Sequence, residues 1–516
     1  MNNYLLYDTI KSKRRVIMKN KINVKNLTKK ITFLIFTILL FLALHIYNGS
    51  KNVSFDQLLY SLFTSKGSSI NAMLPGILFI TIGTLSMIIL VLILQYIINK
   101  YFNHIEIELK LKSKKIIYKP FKITNRKTTL MLILYIIFVF ILSIKCYKID
   151  EYVKTQFSLS TIFEKYYING KDVKISFPEE KRNLIYIYVE SLEMTNIDKE
   201  SGGQFNISYM PKLQSIAKNN INFSNNELLG GAQDVYGTSW TMAAMIAQTS
   251  GIPLKMSIDG NELEEYSDSV PGAYSLGDIL KKNGYKNYLI IGSDANFAKR
   301  REYFEYHGDY TIYDYYYAKE NNWIDDDYYE WWGYEDKKLY EFAKQELIKI
   351  SNNNEPFNFT MLTADTHFPD GYLDKSCMNK YDSEYANSIS CTDIMLYNFI
   401  EWIKSQPFYH NTTIIISGDH ISMQTGFYDE VEDRMIYNAF INSIITTDNI
   451  KDRQFTSFDM FPSTLASLGV TIEGDRLGLG TNLFSNKKTI LEKLGYTKFN
   501  EELKKKSFYY NNMILK

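Results

Sequence analysis

Residues 183–193, Asn-Leu-Ile-Tyr-Ile-Tyr-Val-Glu-Ser-Leu-Glu, run apolar and aromatic from Leu184 to Val189 and then stop on an acid. A short β-rich run with no polar alternation predicts a strand buried on both faces. The design recurs three times. Tyr288–Ile291 ends at Gly292-Ser293-Asp294, Phe357–Leu362 at Thr363-Ala364-Asp365-Thr366-His367, and Thr413–Ile416 at Ser417-Gly418-Asp419-His420. Helical stretches at 275–283, 336–350 and 385–404 lie between them. The alternation predicts an α/β domain with a mostly parallel central sheet. In such sheets ligands bind along the carboxyl ends of the strands, so Glu190, Asp294, His367, Asp419 and His420 are expected on one rim. One carboxylate after a strand is ordinarily a cap or turn residue. Polar clusters at all four strand ends point to function.

The N-terminal part has a different character. Three runs without formal charge, Ile31–Ser50, Met73–Ile98 and Thr128–Ile144, approach or exceed the roughly 20 residues a helix needs to span a bilayer. The first starts late, after a long basic tail, and reads as a span rather than a cleaved signal. Of the 516 residues, 1–148 carry 22 Lys/Arg against 4 Asp/Glu, a net +18, and 149–516 carry 36 against 53, a net −17. Residues 1–30 and 99–127 hold nine basic residues each, whereas 51–72 hold only Lys51 and Lys66. The positive-inside rule therefore expects a multi-pass membrane protein with its N-terminus and second loop in the cytoplasm and everything after about residue 149 outside. The expected division is 1–148 as cytoplasmic tail and three-helix anchor, 149–182 as linker and 183–516 as extracytoplasmic domain. A basic tail beside an acidic domain argues against nucleic acid as a partner. Cys377 and Cys391 would meet an oxidising compartment, either as a disulfide or as two thiols.

Chemistry-bearing residues concentrate on the expected rim. Asp419-His420, with Glu190, offers an oxygen, oxygen and nitrogen set suited to Mn²⁺ or Zn²⁺. The segment Gly230–Thr241 is rich in small residues and leads into a helix over 242–249, so Thr238 and Ser239 stand near a helix start, where backbone amides favour anions. On that segment alone a capping role competes with a nucleophilic one.

Taken together, NLIYIYVESLE, GTSWTMAAMIAQTSGIPL (237–254), GSDANFAKRR (292–301), TADTHFPDGYL (363–373), CTD (391–393) and SGDH (417–420) resemble, in order and spacing, the alkaline phosphatase/sulfatase superfamily. More narrowly they resemble its membrane phosphoglycerol transferases, a branch that includes the lipoteichoic acid synthases. The wording of GTSWT…GIPL, DTHFPDG and TSFDMFPSTLASLG leans toward the periplasmic-glucan type.

The resemblance implies roles. Glu190, Thr238, Asp419 and His420 match metal ligands, with Thr238 also the nucleophile; His367 matches a histidine contacting the phosphoryl group; Asp294 and Arg300 fall where the headgroup is bound. Which of Lys299, Arg300 and Arg301 meets phosphate stays open. The implied reaction moves phosphoglycerol from phosphatidylglycerol at the bilayer to a periplasmic glucan, another envelope glycan or a glycerol-phosphate acceptor. It uses a divalent cation, Mn²⁺ foremost with Zn²⁺ or Mg²⁺ as alternatives, and releases diacylglycerol. Two rivals remain: a phosphoethanolamine transferase acting on lipid A or a glycan, and a non-catalytic glycan-binding membrane protein using the aromatic stretch Tyr310–Tyr334.

Overall fold

A computed structural model of the chain describes residues 24–49, 55, 57–59, 70–111, 114–255, 270–424, 426–428, 431 and 433–516. The basic tail before residue 24 and most of the loop after residue 49 lie outside these. The described residues divide into two compact units: 24–49 with 70–150, and 151–516 with the few residues between 55 and 59.

The first unit consists of helices α1 (Val24–Gly49) and α2 (Ile70–Ile97), a hairpin of strands β1 (Ile107–Leu111) and β2 (Lys114–Tyr118), and helix α3 (Asn125–Cys146). Segments Lys25–Asn48, Gly76–Phe102 and Asn125–Cys146 are long and apolar enough to cross a membrane. Their sequence explains the packing. A Cβ on Gly76 would stand 2.6 Å from His45 Nε2, so the absent side chain is what lets α1 and α2 approach. Thr37 Oγ1 and Tyr135 OH, 3.0 Å apart, satisfy each other between α1 and α3.

In the second unit the chain runs through β3 (Asn183–Val189), α4 (Pro211–Asn219), α5 (Thr241–Ser250), α6 (Leu276–Lys282), β4 (Lys286–Ile291), α7 (Arg300–Tyr306), β5 (Thr311–Tyr313), α8 (Asp336–Ser351), β6 (Phe357–Leu362), α9 (Glu384–Lys404), β7 (Thr412–Gly418), β8 (Asn438–Ile441) and α10 (Ser457–Ser467). The sheet order is β8-β7-β3-β6-β4-β5, parallel except for edge strand β8. Residues along β3 alternate between two cores. Leu184, Tyr186 and Tyr188 join the one containing α5, α6 and α10, while Ile185, Ile187 and Val189 join the one containing α4, α8 and α9. An all-apolar strand is thus the residue pattern of a sheet covered on both faces.

Three features depart from the sequence reading. Strand β5 arises inside the tyrosine-rich stretch, where Tyr313 stacks on Tyr288 with ring centroids 6.1 Å apart, and strand β8 closes the other edge. The stretch 149–182, expected as a linker, contributes Ile162 and Phe163 to the core and pairs Ile175–Ser176 with Thr471–Ile472. Cys377 and Cys391 are joined by a disulfide, with an S–S length of 2.04 Å.

Candidate active site

Strand register builds the site. Val189 pairs with Gly418, Tyr188 with Leu362, and Ile291 with Leu362. Adjacent strands therefore finish nearly level, and the next residues, Glu190, Asp419, Thr363 and Gly292, emerge together. Gly292 has no alternative: a Cβ there would collide with the Tyr334 carbonyl.

Glu190, Asp419 and His420 are buried, and each offers one ligand atom within 4.8 Å of the others. Ser191 adopts a left-handed backbone (φ 54°), a conformation that costs a non-glycine residue of order 1–3 kcal/mol and so marks a turn held by its surroundings. That turn lets Ser191 N donate to Asp419 Oδ1 (2.7 Å) and Ser191 Oγ to Glu190 Oε1 (2.7 Å). His420 Nδ1 donates to the Ile421 carbonyl (2.8 Å), which leaves Nε2 3.5 Å from Glu190 Oε1 and 3.4 Å from Asp419 Oδ2. Asp419 Oδ2 is buried yet accepts no hydrogen bond among the described residues. A buried carboxylate oxygen normally has a donor, so this orphan facing an imidazole nitrogen and a second carboxylate suits a divalent cation. The donor set, two hard oxygens and one imidazole, fits Mn²⁺, Zn²⁺ or Mg²⁺.

Electrostatics agree with the geometry. Burial opposes the Glu190 charge, but His367 and His420 beside it hold the carboxyl below its usual value. Burial, then the Glu190 charge, pushes Asp419 up to about 7. For His420, burial works against the cation, yet Asp419 and Glu190 raise it to about 9. Without a metal, the anionic cluster keeps a proton that a cation would displace. Close by, Glu193 accepts Ser422 N (2.6 Å) and Arg434 Nε (2.8 Å), a buried ion pair that ties the Glu190 turn to the segment after His420.

Above this cluster is an open cleft whose lining includes Glu190, Thr241, Ser293, Arg300, Trp332 and His367. The hydroxyl that meets Glu190 is not the one the sequence suggested. Thr238 is fully buried, and its Oγ1 bonds the Asp234 carboxylate (3.0 Å) and the Val235 carbonyl (2.8 Å), which closes the turn before α5. Thr241, the first residue of α5, is half-buried, and its Oγ1 donates to Glu190 Oε2 at 3.2 Å. Helix α5 begins after Trp240 with no side-chain cap, so its first-turn amides are left for an anion. The helix expected over 242–249 runs from Thr241 to Ser250, which puts Thr241 on its first turn and Thr238 three residues before it.

The basic cluster separates by partner. Ala298 and Lys299 are both left-handed (φ 54° and 59°), a double kink that turns buried Arg300 into the cleft. Arg300 Nη2 donates to the Asp294 carbonyl (3.0 Å) and Ser293 Oγ (3.3 Å), and the guanidinium lies over the Phe297 ring. Lys299 pairs with Glu302, and Arg301 with Asp314 (2.7 Å) and Glu305. Asp294, expected as a headgroup contact, accepts Asn296 N and Nδ2 on its Oδ1, and its carbonyl holds Arg300.

His367 is half-buried, with Nδ1 donating to the Phe368 carbonyl (2.5 Å) and Nε2 left as the acceptor; burial lowers its pKa. The Trp332 ring stands edge-on to it, with centroids 4.8 Å apart. Sequence reading counted Trp332 only within an aromatic stretch. Much of that stretch packs internally, as Trp323 does against Phe342 at 4.9 Å, and nothing in the sequence singled out Trp332.

Comparisons with known proteins come from two directions. Residues 182–470 match the family model described as Sulfatase. Phosphoglycerol transferase I of Escherichia coli O127:H6 (strain E2348/69 / EPEC) is 33% identical over 270 residues, covering 51% of this chain and 33% of that protein. The chain thus spans about a third of the length of the curated relatives it matches. Among solved structures, the lipoteichoic acid synthase LtaP from Listeria monocytogenes is 22% identical with a TM-score of 0.46, covering 61% of this chain and 79% of that one. Lipooligosaccharide phosphoethanolamine transferase A (EptA) from Neisseria meningitidis is 12% identical with a TM-score of 0.45, covering 84% of each chain.

Proposed function

The chain belongs to the sulfatase family, and on that footing we propose that it transfers a phosphoglycerol group from phosphatidylglycerol to an extracytoplasmic glycan hydroxyl, releasing diacylglycerol. The observation that carries the reading is the 3.2 Å contact of Thr241 Oγ1 with Glu190 Oε2, at the mouth of a cleft that Arg300 and His367 share. The relative named phosphoglycerol transferase I supports the choice of headgroup.

Glu190, Asp419 and His420 would hold the divalent cation, Mn²⁺ in our reading, which when bound supplies positive charge that acidifies a nearby hydroxyl and offsets charge on phosphoryl oxygens. Thr241 Oγ1 attacks phosphorus as its proton passes toward Glu190. The P–O bond to diacylglycerol breaks, the departing oxygen takes up the proton that Thr241 released toward Glu190, and diacylglycerol stays in the membrane. The glycerophospho-threonine that results is then attacked by an acceptor hydroxyl. His367 Nε2 takes that proton and returns it to Thr241 Oγ1 as the P–O bond to the threonine breaks, which regenerates the hydroxyl. Arg300 and the uncapped amides of α5 steady the phosphoryl oxygens in both displacements. Two in-line steps retain configuration at phosphorus.

In this reading residues 1–148 are the cytoplasmic tail and anchor, and residues 149–516 face the periplasm or cell exterior. A periplasmic glucan is the acceptor class proposed. The anchor keeps the cleft beside its lipid donor and raises the donor's effective concentration. The test is incubation of membranes carrying the full chain with headgroup-labelled phosphatidylglycerol and Mn²⁺, following label and diacylglycerol. Label should appear transiently on protein and then on glycan, and both should vanish with chelator. Transfer from labelled phosphatidylethanolamine in its place, or label on protein in a Thr241→Ala variant, would overturn the reading.

A further inference from the structure

We propose that one face of the α/β unit, formed by residues 153–159 and 504–513, seats on an anionic lipid surface. The two segments lie side by side: Lys506 N donates to the Ser158 carbonyl (3.0 Å), Ser160 N donates to the Lys506 carbonyl (2.9 Å), and Leu159 bridges Lys506. Their inner side chains are fixed in the core, where the Phe163 and Tyr510 rings stand 5.1 Å apart. Several of their outer side chains are large, apolar and in the open. Phe157 is 86% exposed, Leu159 59%, Phe508 55% and Met513 57%. A rigid backbone that holds four large apolar groups outward is a surface built for an apolar neighbour, not a frayed end.

Charge selects the neighbour. Residues 151–165 and 498–516 carry seven lysines against four glutamates, within a stretch (149–516) whose basic and acidic residues number 36 and 53. Glu502 is occupied by Lys505 Nζ (2.5 Å) and Ser160 Oγ (2.6 Å); Glu151, Glu164 and Glu501 are the other acids on these segments. Lys154, Lys504 and Lys506 flank the apolar groups, and Lys506 Nζ lies over the Phe508 ring at 5.3 Å. Aromatic and aliphatic tips ringed by lysine stems are the chemistry of an anionic membrane interface. The chain also reaches Phe157 shortly after Cys146, the end of a helix apolar enough to span a bilayer.

The experiment uses the full chain with Cys146→Ser, in nanodiscs containing phosphatidylglycerol. A nitroxide is placed in turn at Phe157→Cys, Phe508→Cys, Tyr306→Cys and Ile137→Cys, the last within the third apolar helix, and relaxation by oxygen is compared with relaxation by a water-soluble nickel chelate. Ile137 reports whether the anchor is embedded, independently of the proposed face. The labels at 157 and 508 should follow Ile137, with an oxygen-to-nickel ratio severalfold above that of Tyr306, and the ratio should fall when phosphatidylglycerol is replaced by phosphatidylcholine. With Ile137 embedded, ratios at 157 and 508 equal to Tyr306 would overturn the proposal. So would indifference to lipid charge, or dipolar coupling between copies at 157, which would assign the face to a second copy of the chain.

Discussion

Thr241 Oγ1 and Glu190 Oε2 lie 3.2 Å apart although 51 positions separate them in the chain. Glu190 is the first residue past the central strand and Thr241 the first residue of α5, so the contact joins a strand's carboxyl end to a helix's amino end. That junction concentrates partial positive charge and an acidic cluster in the same few ångströms, which suits a hydroxyl that must lose its proton beside a phosphoryl group.

The two threonines are expected to behave differently. In the proposed reaction Thr241→Ala should lower transfer by at least about 10³-fold with folding intact, since the proposed nucleophile would have no substitute, while Thr241→Ser should keep a measurable fraction. Thr238→Ala should act on stability, by about 1–3 kcal/mol through the lost Asp234 and Val235 contacts. Label transfer and thermal unfolding of the same preparations separate the effects; equal activity losses without any loss of stability would count against the assignment.

Metal affinity should depend steeply on pH. His420 is raised to about 9 and Asp419 to about 7, so in the metal-free protein both protonated forms compete with the cation. Affinity should therefore rise with pH up to roughly 9 and fall as protons return, with proton release on binding. Titration calorimetry in buffers of different ionisation enthalpy reads that release. Asp419→Asn should weaken binding strongly, and the thermal shift produced by Mn²⁺, equivalent to about 2.7 kcal/mol at a hundredfold excess over Kd, should disappear with it.

Neighbouring arginines should also part company. Arg300→Ala removes the cation that lines the cleft and should cost transfer far more than folding. Arg301→Ala strips a partner from Asp314, whose side chain is buried, and should cost about 1–3 kcal/mol of stability while leaving the cleft intact. Kinetics and unfolding on both variants check this, and a reversed pattern would reassign the headgroup contact.

Behind the His367 loop, Asp336 and Asp365 face one another: Asp336 accepts Ala364 N (2.7 Å) and Asp365 N (3.1 Å), and Asp336 N donates to Asp365 Oδ1 (3.2 Å). Burial pushes Asp336 up to about 7 and Asp365 well above its usual value, each assisted by its partner or other nearby carboxylates. The folded state then binds more protons than the unfolded state between about pH 4 and 7, and stability should fall as pH rises through that window. Asp365→Asn should flatten the dependence. Thermal unfolding across pH 4–8 tests it, and an unchanged slope in the variant would refute the origin given.

How much of this was legible beforehand follows from particular residues. Leu184–Val189 announced a doubly covered strand because burial on both faces favours apolar and aromatic side chains at every position, a constraint written residue by residue. The same locality exposed the polar stops at Glu190 and Asp419-His420, and the uncharged runs of the first unit, since a helix without charge over about 20 residues has few other uses. Strand register then needed only the pairing of Val189 with Gly418 to bring Glu190 and Asp419 together.

Which hydroxyl, which guanidinium and which ring stand beside Glu190 and the cleft depends on more than local sequence. Thr238 and Thr241 differ by less than one turn, and at 3.6 residues per turn the position at which α5 begins decides which of them faces Glu190. Arg300 enters the cleft because two left-handed residues precede it, and Arg301 is claimed by buried Asp314. Trp332 reaches His367 from a segment 35 residues away in sequence, through a fold that no local pattern encodes. Residue chemistry and periodicity act over neighbouring positions, so the chain itself determined the layers and the rim. The choice among adjacent candidates depends on helix rotation and on competition for partners, and only the packed tertiary structure supplies those.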